Sequence, residues 1–259
     1  MSALRIGCSG WAYKDWRGPF YPPEVKDRGR LSWYAARFDT AEINASFYRL
    51  PSPAAVEGWA RGAPDGFVFA WKVSRFITHN KKLKDCEDPV ALVFGRMAAL
   101  GPAYGPALIQ LPPQLRRNDD RLAAFLALLP RSGRHAVEFR HESWYAPGVF
   151  QILADFDAAL CISDHHSAPA PWEVTASWVY LRGHGPGGRY VGRYPPVDLQ
   201  RWAEAIGAWR RQGRDVYAYF DNDVKSAAPF DALALKALVE PRLQRVRLRN
   251  LDRRARSWR

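Results

Sequence analysis

Charged and amide side chains stand at the ends of short apolar runs throughout this chain. Carboxylates in such positions could do acid/base work or hold a metal, and Lys and Arg could bind an anionic group. Strand residues two apart share a face, so Glu138 and Arg140 are expected to point one way and Val137 and Phe139 the other. The end positions are Glu42, Asn44, Lys72, Gln110, Glu138, Arg140, Asp164, Arg182, Asp221 and Asn222. Together they indicate a site for a polar, anionic ligand.

Eight apolar runs have the length of β-strands, and most are separated by helix-like stretches. Eight such βα units predict an α/β fold, a single TIM-type (β/α)8 barrel over residues 1–259, with its ligand site at the C-terminal strand ends. Outer helices are expected to be irregular or reduced in places, above all in the Pro- and Ala-rich segment Asp164–Pro171. The predicted strands are Leu4–Cys8, Thr40–Asn44, Gly66–Lys72, Ala107–Gln110, Ala136–Arg140, Ala159–Asp164, Trp178–Arg182 and Val216–Asn222.

Composition is typical of a globular protein, with 47% hydrophobic and 25% charged residues. No apolar run approaches the roughly 20 residues that cross a bilayer, and the first ten residues lack the pattern of a signal peptide. The three cysteines are far apart, without metal or disulfide spacing. These features predict a cytoplasmic protein with no membrane partner.

The formal net charge is +12, which favours a polyanionic partner such as nucleic acid. Part of this charge lies in a basic C-terminal tail at about 242–259. The tail is either a solvated or helix-associated end or a binding arm, and charge alone leaves both interpretations open. The segment Ser74–Asp88, also basic, has the length of a functional lid.

Three residues are the predicted catalytic groups, namely Glu138, Glu42 and His184. The two glutamates are candidates for acid/base chemistry, and His184 lies in the glycine-rich loop Gly183–Gly188, which could present backbone N–H groups to a phosphate. The alternative is that the carboxylates and arginines close a structural ion network over the barrel core. The histidines show no metal-binding spacing, so no metal ligand is assigned, and the cofactor stays open with a divalent metal as one alternative.

Ten residues are predicted to bind the substrate. The cations would contact its anionic group, the amides and Asp223 its other polar groups, and the aromatic rings would stack on a base or sugar. Each aromatic residue could equally pack a long loop against the barrel rim. The ten are Lys72, Arg140, Arg182, Asn44, Gln110, Asn222, Asp223, Trp11, Tyr48 and Trp144.

Seven motifs, in order along nearly the whole chain, resemble the domain of unknown function 72 family, whose members are also called YecE-like proteins. They are CSGWAYKDWRGPFYP (8–22), EINASFYRLP (42–51), FAWKVSRFITH (69–79), LIQLPPQL (108–115), VEFRHESW (137–144), VYLRGHG (179–185) and YAYFDND (217–223). The resemblance implies a TIM-type barrel but no settled activity. The last motif usually reads F-N-N-D, so Asp221 replaces an Asn, which favours Asn222 and Asp223 as the shared polar residues.

Three functions follow as hypotheses. The leading one is an enzyme, hydrolase-like, acting on a phosphate-bearing or other anionic substrate at the barrel mouth. The second is a nucleic-acid-binding protein without catalysis. The third is a sugar or sugar-acid isomerase or glycosidase, which paired carboxylates and aromatic residues would also suit. The partner is accordingly a small anionic substrate or nucleic acid, and the oligomeric state is not assigned.

Overall fold

Eight parallel strands form one sheet, in which the first strand pairs with the eighth and the second to eighth strands pair in chain order. The computed structural model describes residues 2–239, so the predicted basic tail at 242–259 lies outside the described part. The strands are β1 (Leu4–Cys8), β2 (Thr40–Ile43), β3 (Val68–Lys72), β4 (Tyr104–Gln110), β5 (His135–Glu138), β6 (Ala159–Ser163), β7 (Trp178–Gly183) and β8 (Asp215–Phe220). All eight predicted strands are present, and the prediction of a TIM-type α/β barrel is confirmed.

Helices cover the outside of the barrel between most of the strands. They are α1 (Arg30–Ala35), α2 (Ala45–Tyr48), α3 (Pro53–Gly62), α4 (Glu87–Met97), α5 (Asp119–Ala127), α6 (Pro147–Asp155), α7 (Pro196–Arg211) and α8 (Ala227–Val239). The chain passes from β6 to β7 without a helix, which confirms the reduced element predicted there. No helix of the described residues is both long and apolar enough to span a membrane.

A tyrosine side chain joins the two strands at which the barrel closes. The backbone N–H of Cys8 donates to the Tyr34 hydroxyl at 2.7 Å, and this hydroxyl donates to the Thr40 carbonyl at 2.9 Å. Gly7 permits this approach, because a Cβ there would lie 2.3 Å from the Thr40 carbonyl oxygen. A side chain thus bridges β1 and β2, so their polar backbone groups are satisfied where the sheet is nearly closed.

Alternation along the strands separates two apolar regions. Val137 and Phe139 point outward into the layer between sheet and helices, as their spacing predicts. A second cluster fills the barrel, where small residues of β3, β5 and β6 face large aromatic residues of β7 and β8. Its members are Ala70, Leu108, Ala136, Ala159, Cys161, Ala176, Trp178, Tyr180, Tyr217 and Tyr219. The charged residues at the strand ends lie one layer above this cluster.

Two short elements were not expected from the sequence. The segment Ser74–Asp88, predicted as an irregular lid, contains a single π-helical turn over Phe76–Asn80. Helix α2 directly follows β2. Both are too short to produce a helical repeat in hydrophobicity, which is why sequence periodicity did not reveal them.

Candidate active site at the barrel mouth

Arg182 is the centre of a buried ion network at the C-terminal ends of the strands. Its side chain is fully buried, and its Nη2 lies 2.7 Å from Glu42 and 3.0 Å from Asp221. Its Nη1 lies 3.0 Å from Glu138, and its Nε donates to Glu42 at 3.2 Å. Burial opposes the charge of the guanidinium, but these carboxylates outweigh it and raise its pKa. Arg182 thus holds together three carboxylates at the ends of three strands.

The two buried glutamates are held in the charged form. Burial alone would raise the pKa of Glu42, but Arg182, with hydrogen bonds from Ser9 and Tyr180, holds that pKa below its usual value. Burial acts in the same direction on Glu138, and the neighbouring Arg140 and Arg182 more than offset it, so its pKa is also lowered. Such carboxylates anchor cations well.

His184 is enclosed between cations and a carboxylate. Its Nε2 lies 3.1 Å from Arg182 and 3.2 Å from Arg140, and its Nδ1 lies 3.2 Å from Asp164. This set of partners suits an imidazole that accepts at Nε2 and donates from Nδ1. Arg140 continues the network, with its guanidinium 2.7 Å from Glu138 and 3.0 Å from the Tyr190 hydroxyl. The three predicted catalytic residues therefore do come together, within one network.

A cavity of about 500 Å³ opens above this network. Lys72, only 8% exposed, forms part of its wall. Within residues 2–239 its ammonium faces the cavity and the Phe47 ring, whose centroid is 4.1 Å away, rather than a carboxylate. Burial, with the nearby charge of Arg182, lowers the pKa of Lys72 to about 8. The cavity is lined by Tyr13, Lys14, Asp15, Asn44, Tyr48, Lys72, Tyr190, Asp221, Asp223 and Val224.

Two polar groups of the cavity wall have an unused hydrogen-bonding atom. Asn44 donates through its amide to Ser9 at 3.0 Å, and its Oδ1 has no partner in the described part of the chain. The Oδ1 of Asp223 is also buried without a partner. Buried polar atoms are rarely left unpaired, so these two oxygens mark positions where a ligand could bind.

The other predicted binding residues occupy several different environments. Gln110 is buried at the end of β4, and Tyr48 is 70% exposed at the cavity wall. Asn222 faces away from the barrel and donates to the Gly192 carbonyl at 2.7 Å and to Asp231 at 2.8 Å. This contact fixes the loop after β7 to helix α8, so Asn222 supports the mouth from behind.

Two predicted aromatic residues belong to the packing of the barrel exterior. Trp144 is buried, stacks on Phe139 at 4.9 Å and donates to the Leu115 carbonyl. Trp11 packs against Trp59 and Phe69. The cavity instead uses Tyr13 and Tyr190, which are not among the ten residues predicted to bind the substrate. Their only signal was an aromatic residue in a long loop, which Trp11 and Trp144 share.

No group of three or more His, Cys, Asp or Glu side chains among residues 2–239 has the arrangement of a metal site. Three carboxylates of the buried network, Glu42, Glu138 and Asp221, are instead bound to the Arg182 guanidinium. No residue of the site is therefore assigned as a metal ligand.

Comparison with known proteins places the chain in a family. The family described as "Protein of unknown function DUF72" matches residues 5–256. The UPF0759 protein YunF of Bacillus subtilis is 24% identical over 282 aligned positions, covering 96% of this chain and 99% of YunF. The UPF0759 protein YecE of Escherichia coli K12 is 35% identical over 119 residues, which cover 46% of this chain and only 44% of YecE.

Solved structures agree with this match. The crystal structure of a DUF72 family protein from Thermotoga maritima has 25% sequence identity and a TM-score of 0.84, covering 92% of this chain and 99% of the other. The family match spans the charged strand ends and the cavity described above. The chain therefore belongs to the DUF72 family of proteins of unknown function.

Proposed function

We propose that this protein is an enzyme of the hydrolase type that acts on a small anionic substrate in the mouth cavity, with Lys72 binding the anionic group. The observation that carries the proposal is the position of the Lys72 ammonium. It is buried in the cavity wall without a carboxylate partner among residues 2–239, whereas Arg182 and Arg140 are bound to glutamates. A desolvated ammonium without a partner attracts an anion strongly.

The size and the polar atoms of the cavity narrow the substrate further. About 500 Å³ suits a small molecule rather than a polymer. The unpaired oxygens of Asn44 and Asp223 could accept hydrogen bonds from hydroxyl groups. The substrate class that fits is a small hydroxyl-bearing molecule with one phosphate or carboxylate, such as a sugar phosphate or a sugar acid derivative.

Turnover by a Lys72→Met variant tests this function. A panel of phosphate monoesters, phosphate diesters and uronic acid glycosides would be incubated with the wild type, alongside neutral glycosides. We expect turnover of anionic compounds only, and a fall in kcat/KM of roughly 10- to 100-fold in Lys72→Met, as for the loss of one charge-assisted hydrogen bond. The control is Lys84→Met, which removes an exposed lysine. Turnover confined to neutral glycosides, or unchanged in Lys72→Met, would contradict the proposal.

A second candidate function is the binding of single-stranded nucleic acid, and it has its own observation. Tyr48 and Phe76 are 70% and 51% exposed and line a second cavity beside the mouth, together with Arg49 and Arg75. Exposed aromatic rings between cations suit the stacking of bases along a phosphate backbone. The tail at 242–259 contains eight Arg and one Asp, so it contributes +7 of the net charge of +12.

Oligonucleotide binding at two salt concentrations distinguishes binding at the second cavity from binding by the tail. Affinity that falls steeply with salt and is lost in an Arg49 and Arg75 to Ala double variant would place nucleic acid at this second cavity. Loss only after removal of residues 253–259 would assign the binding to the tail. Absence of binding in the wild type at low salt would exclude this second function.

A further inference from the structure

We propose that Asp223 and Asp221 are the acid/base pair of this site, with Asp223 donating a proton to the leaving group and Asp221 accepting one from the attacking water. The inference rests on the proposed function, because both residues would act on a substrate held by Lys72. It assigns the proton chemistry to carboxylates of the cavity wall instead of the buried glutamates.

Both carboxylates lie just beyond the end of β8 at Phe220. Tyr219 points into the barrel, and Asp221, two positions later, continues on the same face. Asp223 follows in a turn with helical backbone dihedrals, and both carboxylates line the cavity that contains Lys72. The residue between them, Asn222, is turned outward and tied to Gly192 and Asp231, which fixes the turn that presents the two carboxylates.

The two carboxylates have opposite environments. Asp221 lies 3.0 Å from the Nη2 of Arg182 and forms an ion pair with it. Asp223 has no such ion pair in the described part of the chain, and its Oδ1 is buried without a partner. Burial raises the pKa of Asp223 well above its usual value, and the charge of Asp221 adds to this effect. Two carboxyl groups whose environments differ in this way are suited to the separate roles of acid and base.

Groups from all the surrounding elements act on Asp223. Glu42 and Asp221 disfavour its negative charge, whereas Arg182 and the Tyr13 hydroxyl favour it. Across the cavity, Lys72 contributes the one further buried cation of the lining. Behind the turn, Asp231 is already paired with Arg193 at 2.8 Å. The remaining titratable neighbours are Cys8, Lys14, Asp15 and Tyr190.

The proposed reaction consumes one water and needs no redox partner. As the water oxygen bonds to the phosphorus or carbon centre, Asp221 takes one of its protons, and the bond to the leaving oxygen breaks with its electron pair on that oxygen. Asp223 gives its proton to the same oxygen. The pair is reset when a proton passes from Asp221 to Asp223 through solvent. The substrate class is an anionic ester or glycoside with a poor leaving group, for which such protonation matters.

The pH dependence of unfolding reports the proton on Asp223 without any substrate. The pKa of Asp223 is raised in the folded protein, so the folded protein keeps a proton that the unfolded chain releases above about pH 4. The free energy of unfolding therefore falls as pH rises from about 4 towards the folded-state pKa. The Asp223→Asn substitution removes the titrating carboxyl group. We expect the Tm of Asp223→Asn relative to wild type to increase as pH rises above about 4, whereas the exposed-site control Asp120→Asn should show no comparable increase. A constant offset for Asp223→Asn would overturn the protonated state.

Leaving-group dependence tests the catalytic role on the compounds turned over by the wild type. Asp223→Asn should lower kcat for an alkyl ester or glycoside by about 10²- to 10⁴-fold and change the 4-nitrophenyl analogue only a few-fold, because nitrophenolate leaves without a proton. Asp221→Asn should slow both. Equal losses for both leaving groups in Asp223→Asn would overturn the acid role. If Lys72→Met loses turnover while Asp223→Asn does not, the proposed function stands and the acid/base pair fails.

Discussion

Replacement of Arg182 by Met is expected to destabilise the protein by about 3–5 kcal/mol, or to prevent folding, because breaking a buried ion pair leaves uncompensated charge. Glu42, Glu138 and Asp221 would lose a shared cation that lies within 3.0 Å of each. Urea unfolding at pH 7 measures the change. The matched control is Arg61→Met, which breaks an exposed pair with Glu57 and should change stability by no more than about 1 kcal/mol.

A double substitution distinguishes loss of charge balance from loss of packing. Glu42→Gln removes one negative charge, so adding it to Arg182→Met should cost less than the sum of the two single changes. If the variant chains do not fold, the melting of the Glu42→Gln single variant still reports the network. A loss below about 1 kcal/mol in Arg182→Met would contradict the view that the network holds the mouth together.

Replacement of Glu138 by Gln is expected to cost about 3–5 kcal/mol at pH 7, because the substitution removes the charge that Arg140 and Arg182 both face at 2.7 and 3.0 Å. The sign of the pH dependence follows from the lowered pKa of Glu138. Its contribution is fully present above the unfolded pKa of about 4.3 and is lost as pH falls through the lower folded pKa. The difference in the free energy of unfolding between wild type and variant should therefore be constant above about pH 5 and become smaller below it.

Unfolding in urea at pH 7, 5 and 3.5 checks this dependence. Glu57→Gln is the control, since Glu57 is exposed on α3 and pairs only with Arg61 at 3.4 Å. The free energy of unfolding of Glu57→Gln should stay close to that of the wild type at every pH. A Glu138→Gln difference that widened on acidification would mean that the folded protein binds a proton at this position more readily than the unfolded chain does.

The sequence was sufficient for the barrel and for the direction of many side chains. Strand periodicity alone gave the eight strands and the inward orientation of Glu138 and Arg140. The family motif favoured Asn222 as a binding residue. Tyr219 and Asp221 face the barrel interior, so Asn222 between them faces outward, where it donates to the Gly192 carbonyl. Local patterns therefore predict which face a residue occupies better than they predict what it touches.

The pairing of the charges could not be read from the sequence. Glu42 and Arg182 are 140 positions apart, and only closure of the barrel brings them within 2.7 Å. The pattern likewise did not separate cations that are already paired, such as Arg182, from Lys72, whose ammonium faces the cavity. Trp144 shows the same limit for aromatic residues, because stacking on Phe139 and stacking on a ligand require the same residue type.

Sulfate binding as a function of pH tests the central claim, that Lys72 binds the anionic group of the substrate. Sulfate keeps its charge across the pH range, so any change of its affinity with pH would come from titration of a group on the protein. With a pKa of about 8, Lys72 is charged below pH 8, and affinity should fall by up to tenfold per pH unit above it. Calorimetric titration should show this fall in the wild type and in Lys84→Met. Lys72→Met should bind at least about tenfold more weakly at pH 7. Equal sulfate affinity in the wild type and Lys72→Met would contradict the account.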